Sequence, residues 1–179
     1  MNTEQGLRNN FEGKLPACLA RAAATRIVPV IPNHYFSVAS SEIRDMYIEG
    51  YFNGAIALSQ SVAEGLSKFV CKRKHVRSAK NHLTRVEKLR SEKIITEEAN
   101  AAFKIIEDGR NEFHHMNEEI VTNNSVLEQK AKQNVEKLFD IEDEIFRHSF
   151  DKGKLVPANP EFWDIKQNGT TEVFLRFPT

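Results

Sequence analysis

The stretch Asp108-Gly109-Arg110-Asn111-Glu112-Phe113-His114-His115 brings a guanidinium, an amide and two imidazoles within a few residues of one another. Arginine stays charged at any physiological pH, and its planar fork grips two phosphate oxygens at once. Histidine gains or loses a proton near neutrality. RNA transesterification has these needs: the ribose 2′-hydroxyl attacks the adjacent phosphorus, one group takes its proton and another protonates the departing 5′-oxygen. Cations hold the charge of the phosphorane. No metal is required for this route. On an ideal helix Arg110 and His114 share a face, as do Asn111 and His115, whereas Arg110 and His115 lie about 140° apart. Joint action of that last pair calls for a bend near Gly109 or a second copy of the chain.

Hydrophobic periodicity predicts the elements that carry these groups. Residues 1–15 are polar and read as a loose arm, and Pro16 suits the first turn of a short helix through Ala17 to Ala24. Pro29 and Pro32 force extended backbone. Ser40 and Ser41 are N-cap candidates for one long amphipathic helix over 41–71, along which Ile43, Tyr47, Tyr51, Ala55, Leu58, Val62, Leu66 and Phe69 recur at helical steps. Gly54 and Gly65 fall inside it, where glycine marks close approach of a neighbour. A shorter helix is expected within 79–90. A third begins at Thr96, with Glu97 and Glu98 in its first turn, and carries the Arg110–His115 stretch on a helix whose apolar face includes Phe103, Ile106 and Phe113. Ser125-Val126-Leu127-Glu128 reads as a capping box opening a fourth helix that reaches about His148. Asn168-Gly169 between Trp163-Asp164-Ile165 and Glu172-Val173-Phe174-Leu175 predicts a hairpin. The fold class is therefore all-α, a bundle of four to five helices with a small C-terminal β-hairpin. Its organisation is an arm over 1–39, the bundle over 40–150 and an extension over 151–179.

Composition bounds the rest. With 179 residues, 40% of them hydrophobic, the chain is sized for one core. No stretch has the run of about 18 apolar residues that a membrane span needs, and Met1-Asn2-Thr3-Glu4-Gln5 lacks the regions of a secretory signal, so a cytoplasmic location is expected. Cys18 and Cys71 have no paired spacing and are expected to be reduced. The net charge of +0 hides segregation: nine basic residues stand between Lys72 and Lys93 against Glu87 and Glu92. Lys72, Arg73, Lys74, Arg77, Lys80 and Arg85 of this run are candidate RNA-backbone contacts. A solvated helix face is the other reading of the same run.

The run Arg110-Asn111-Glu112-Phe113-His114-His115 resembles the R-N-x-x-x-H motif of the HEPN (higher eukaryotes and prokaryotes nucleotide-binding) ribonucleases. Motif and helix order together cover roughly residues 41–148. The resemblance implies a metal-independent endoribonuclease in which Arg110 binds phosphate, Asn111 orients it or the ribose, and His115 moves the proton, with His114 the alternative register. Members of the family pair two motifs across an interface. With one motif per chain, that implies a homodimer, RNA as substrate, no cofactor, and a role in toxin–antitoxin or antiviral defence beside an antitoxin or other partner protein. Asn117 stands where one subset carries a modifiable tyrosine, which puts control by that modification in doubt.

Other readings compete for the same residues. Arg110 to His115 could be a polar helix face salt-bridged through Glu107, Glu112 or Glu119, making the chain a non-catalytic module for dimerisation, nucleotide binding or protein interaction. Glu112 and His115 form one Glu-x-x-His element, but di-iron bundles use two, so no metal is expected. His34, His75, His82 and His148 are scattered and read as surface or capping groups. Tyr47, Tyr51, Phe52, Phe69 and Phe103 read as core, with Tyr47 or Tyr51 available to stack a base.

Overall fold

The polar N-terminal stretch is not a loose arm. In the computed structural model, which describes residues 2–32, 35–114 and 123–176 apart from the side chains of Asn111 and His114, helix α1 (Thr3–Ala24) is continuous and holds Pro16 inside it. Asn2 caps it by accepting from the Glu4 amide at 2.8 Å, and Glu4 pairs with Arg8 one turn on. No residue of α1 is buried, which is why no amphipathic period announced it. Cys18 and Ala22 lean on the core. Leu7, Phe11, Leu15 and Leu19 stand at four-residue steps along the helix and are 38–66% exposed.

The long strut expected over 41–71 is two helices, α2 (Tyr35–Glu49) and α3 (Phe52–Arg73). They part at Gly50, whose φ of +87° is a conformation that costs a residue with a Cβ about 1 kcal/mol or more. The Gly50 amide bonds the Tyr47 carbonyl and the Tyr51 amide bonds the Met46 carbonyl, closing a Schellman end on α2. Apolar spacing ran through this break because Tyr47 and Tyr51 happen to keep helical phase. Gly54 and Gly65 do mark close approach: a Cβ at Gly65 would lie 2.9 Å from the Phe36 ring, and one at Gly54 would lie 3.1 Å from the Met46 sulfur.

Helices α4 (His82–Ser91), α5 (Glu97–Glu107), α6 (Arg110–His114) and α7 (Asn124–Ile145) complete the described bundle. Thr96 caps α5 as expected, accepting from the Ala99 amide at 3.1 Å. For α7 the cap is Asn123, whose side chain accepts from the Val126 amide, and not Ser125; Glu128, the expected box partner, instead binds Arg21 of α1 at 2.7 Å. A long-range ion pair has taken the side chain that local capping would use. α3 is the central strut, packed against α2, α4, α5, α6 and α7. Ile43, Ala55, Leu66, Val86, Leu89, Phe103, Ile106, Val135 and Leu138 are buried together.

The C-terminal extension holds a hairpin, one turn earlier than expected. Strands β2 (His148–Asp151) and β3 (Lys154–Pro157) pair across Lys152-Gly153, where both residues have positive φ, as a two-residue I′ turn demands. Asn168-Gly169 also makes a turn, with Lys166 and Thr170 bonded across it, but only the Ile165–Thr171 bridge forms beyond it. The chain then leaves: β4 (Val173–Leu175) pairs antiparallel with β1 (Val30–Pro32). Arg176, just past β4, is anchored in the bundle, and that anchor draws the strand away from its sequence neighbour. Among the described residues, no helix is long and apolar enough to cross a membrane.

Candidate functional site

α5 ends at Glu107, and the chain turns through Asp108 and Gly109 (φ +73°) before α6 begins at Arg110. The Gly109 carbonyl accepts from the Glu112 and Phe113 amides at 2.9 and 3.2 Å, starting α6 at once. Two buried or half-buried side chains hold the preceding carbonyls. Lys130 Nζ of α7 donates to Ile105 at 2.8 Å, and Gln60 Nε2 of α3 donates to Ile106 at 3.2 Å. They satisfy groups that every helix end leaves unpaired. The expected bend therefore exists, but it precedes Arg110, so Arg110 and His114 remain within a single helix. His115 lies outside the described residues, and the side chains of Asn111 and His114 are likewise outside them.

Arg110 can be placed in detail. Its side chain is 36% exposed and its Nη1 lies 3.3 Å from both Glu64 on α3 and Glu107 on α5. Glu64 is shared: Lys68 Nζ reaches it at 2.7 Å and Arg85 Nη2 at 3.6 Å. The hydrogen bond from Lys68 holds the Glu64 carboxyl below the usual range against its burial, and Arg110 and Arg85 add to the effect. Three cations thus surround two carboxylates. The cluster fixes the fork of Arg110 while leaving part of it open to solvent, which suits a group that must meet an anion without reorganising.

Beneath this cluster lie Ser67, which the sequence did not single out, and His82, which was expected at the surface or a cap and is instead buried. Arg85 Nε donates to Ser67 Oγ at 2.9 Å, and Ser67 Oγ lies 3.3 Å from His82 Nδ1. His82 is buried with its ring edge-on to Phe103, and its Nε2 has no partner among the described residues. Burial first, and the positive charge of Arg85 and Arg110 after it, pull its pKa from 6.5 to about 4. Below pH ~6.5 the unfolded chain takes up a proton that the folded chain refuses until pH ~4. His82 therefore lends stability that is complete above that window and lost as pH falls through it, on the order of 3 kcal/mol in all. Urea unfolding near neutrality and at about pH 4.5 is expected to show this loss, and His82→Asn to flatten it. An unchanged slope in the variant would assign the loss to other groups. The only sequence signal for this network was the Glu64–Lys68 spacing of four.

The basic run divides. Lys72, Lys74, Arg77 and Lys80 are exposed, and Arg73 is half-buried. Lys74 is paired with Glu161, and Arg73 with Asp164 at 2.5 Å. Arg85 corrects the expectation: it is 1% exposed, donates to the Ala79 carbonyl at 2.7 Å, and belongs to the core network rather than to a solvent-facing track. Arg85 falls on the same side of α4 as buried Val86 and Leu89, so its helical position decided its fate. Tyr47 is buried and Tyr51 exposed, so of the two only Tyr51 is open to a base. His148 packs against Trp163 and Phe150. Among the described residues no group of His, Cys, Asp or Glu is arranged to hold a metal ion. No protein-family model, curated protein or solved structure matches the chain.

Proposed function

We propose that this protein is a metal-independent endoribonuclease of the HEPN kind, acting by 2′-hydroxyl transesterification as a homodimer. The carrying observation is Arg110: first residue of a helix that opens the R-N-x-x-x-H stretch, its Nη1 held by Glu64 and Glu107, and its side chain partly exposed to solvent. In this reading Arg110 binds the scissile phosphate, Asn111 orients it, and His115, or His114 in the other register, moves the proton. RNA is the substrate, the location is cytoplasmic, and the biological setting is a toxin or antiviral effector restrained by a partner protein.

The test is incubation of the purified chain with end-labelled RNA in the presence of a metal chelator. Fragments ending in a 2′,3′-cyclic phosphate are expected. Intact RNA over a range of sequences would sink the reading. A second reading, a non-catalytic helical module, is favoured by one observation: the two ion pairs of Arg110 are what a purely structural arginine would make. It predicts intact RNA with the fold unchanged.

Pairing of two copies is supported by the exposed row Leu7, Phe11, Leu15 and Leu19, since apolar side chains at one helical spacing gain free energy by leaving water together. Sedimentation is expected to report a dimer, and Phe11→Glu, which puts a charge into that row, is expected to weaken self-association at least tenfold. A wild-type monomer at high concentration would count against the two-copy site.

A further inference from the structure

The last turn of α3 borders a groove of about 650 Å³, within the size range of sites that hold small molecules. Lys68, Phe69, Lys72, Arg73, His75 and Tyr35 line it. Its one acidic lining residue, Glu161, already has Lys74 as partner. Lys72 is exposed and has no carboxylate partner among the described residues. Tyr35, another lining residue, is 66% exposed, with its ring against Phe36. Cations beside an exposed aromatic face are what a single-stranded nucleic acid needs, the first for phosphates and the second for a base.

The groove joins the candidate site along one helix face. Glu64, Lys68 and Lys72 recur every four residues on α3, and Glu64 is the carboxylate that holds Arg110. Gly65 and Lys68 line the groove, so it begins within one turn of Glu64, and Lys72 stands about 12 Å from Glu64 along the axis.

His75 adds an independent sign. It occupies the position after the α3 cap with φ +54°, and the Val76 amide bonds the Cys71 carbonyl at 2.8 Å, which makes a Schellman end. Glycine is the residue that this position favours, because a Cβ is strained there. An imidazole at such a site, lining a basic groove, is a local cost at a place where a side chain is useful.

We propose that this groove binds the single-stranded RNA segment flanking the scissile phosphate, with the backbone on Lys72, one base against Tyr35, and His75 as a further phosphate donor. The assignment rests on the ribonuclease reading for the position of the cleaved bond, but not for the binding itself.

The experiment is fluorescence anisotropy with a labelled 2′-O-methyl oligouridylate, which lacks the attacking hydroxyl and so reports binding without cleavage. Wild-type protein is expected to bind it in preference to a duplex of equal length. Tyr35→Ala is expected to weaken binding about 5- to 100-fold. Lys72→Glu is expected to reduce the salt dependence by a slope of roughly one or more. His75→Gly is expected to weaken binding while leaving the urea midpoint equal or higher, which separates binding from folding. Unchanged affinity in all three variants beside normal cleavage of ribo-oligonucleotides overturns the groove and leaves the nuclease standing. Binding lost in the variants of a chain that cleaves nothing supports the groove and overturns the nuclease. Equal competition by polyglutamate, or no binding by the wild type, overturns the groove.

Discussion

Alanine at Arg110 or at His115 is expected to slow RNA cleavage by about 10² to 10⁴, the amount that one positioned proton-transfer or charge-stabilising group contributes. For Arg110 the reason lies in its clamp. Glu64 and Glu107 both accept from its Nη1 at 3.3 Å, so the guanidinium is held in place before a phosphate arrives, with Nε and Nη2 left to meet it. Lysine in its place keeps the charge but presents a point and not a fork, and is expected to recover only part of the lost rate. Folding is the necessary control. Arg110 is 36% exposed, and breaking its ion pairs is expected to cost about 1 kcal/mol or less, far too little to unfold the domain. Initial rates measured beside urea midpoints separate the two effects: a folded Arg110→Ala that cleaves at the wild-type rate would remove this residue from the chemistry. Glu64→Gln is informative in the same assay, because it loosens the clamp without touching the phosphate-binding group.

The largest effect on stability is expected at Arg176. Its guanidinium spans Glu142 bidentately, Nη1 to Oε2 at 2.9 Å and Nη2 to Oε1 at 3.3 Å, while Nε donates to Ser41 and Nη2 to Ser40. The Arg176 and Glu142 side chains are 3% and 0% exposed. Removing one partner of a buried pair leaves the other charge without compensation, which costs about 3–5 kcal/mol. Arg176→Ala is therefore expected to bring the urea midpoint down sharply and to release β4 from β1, since Arg176 is the residue next to that strand. The pH dependence follows from Glu142. Burial pushes its carboxyl up, and Arg176 is what pulls it back. Without Arg176 the folded pKa rises further above the unfolded one. The resulting penalty is small below the unfolded carboxyl pKa of about 4.3 and grows as pH rises toward the raised folded value. The deficit of Arg176→Ala should thus be greatest near neutrality and shrink in acid. A double variant, Arg176→Met with Glu142→Leu, is expected to restore most of the stability, because apolar side chains carry no desolvation cost. A loss below about 1 kcal/mol in the single variant would mean that water reaches the pair.

Local chemistry was legible wherever a helix had to bury a stripe. The apolar positions Ala99, Ala102, Phe103 and Ile106 and the Thr96 cap defined α5, and they hold in the fold. Gly109 marked where the third helix could bend or admit a neighbour, and the chain turns there between α5 and α6. α1 stayed hidden for the converse reason: a helix that buries nothing has no period to read.

By itself, then, the sequence determined the helical class and most apolar faces, since these depend on residues a few positions apart. Only the tertiary structure decided that the long strut breaks at Gly50, that β4 pairs with β1 and not across Asn168-Gly169, and that Arg85 enters the core beside Glu64 while Lys72 stays outside. Each of these is a competition between a local preference and a contact made across many residues. The long-range contact wins where it buries a charge with its partner or an apolar face against another, because that free energy exceeds what a turn or a cap supplies.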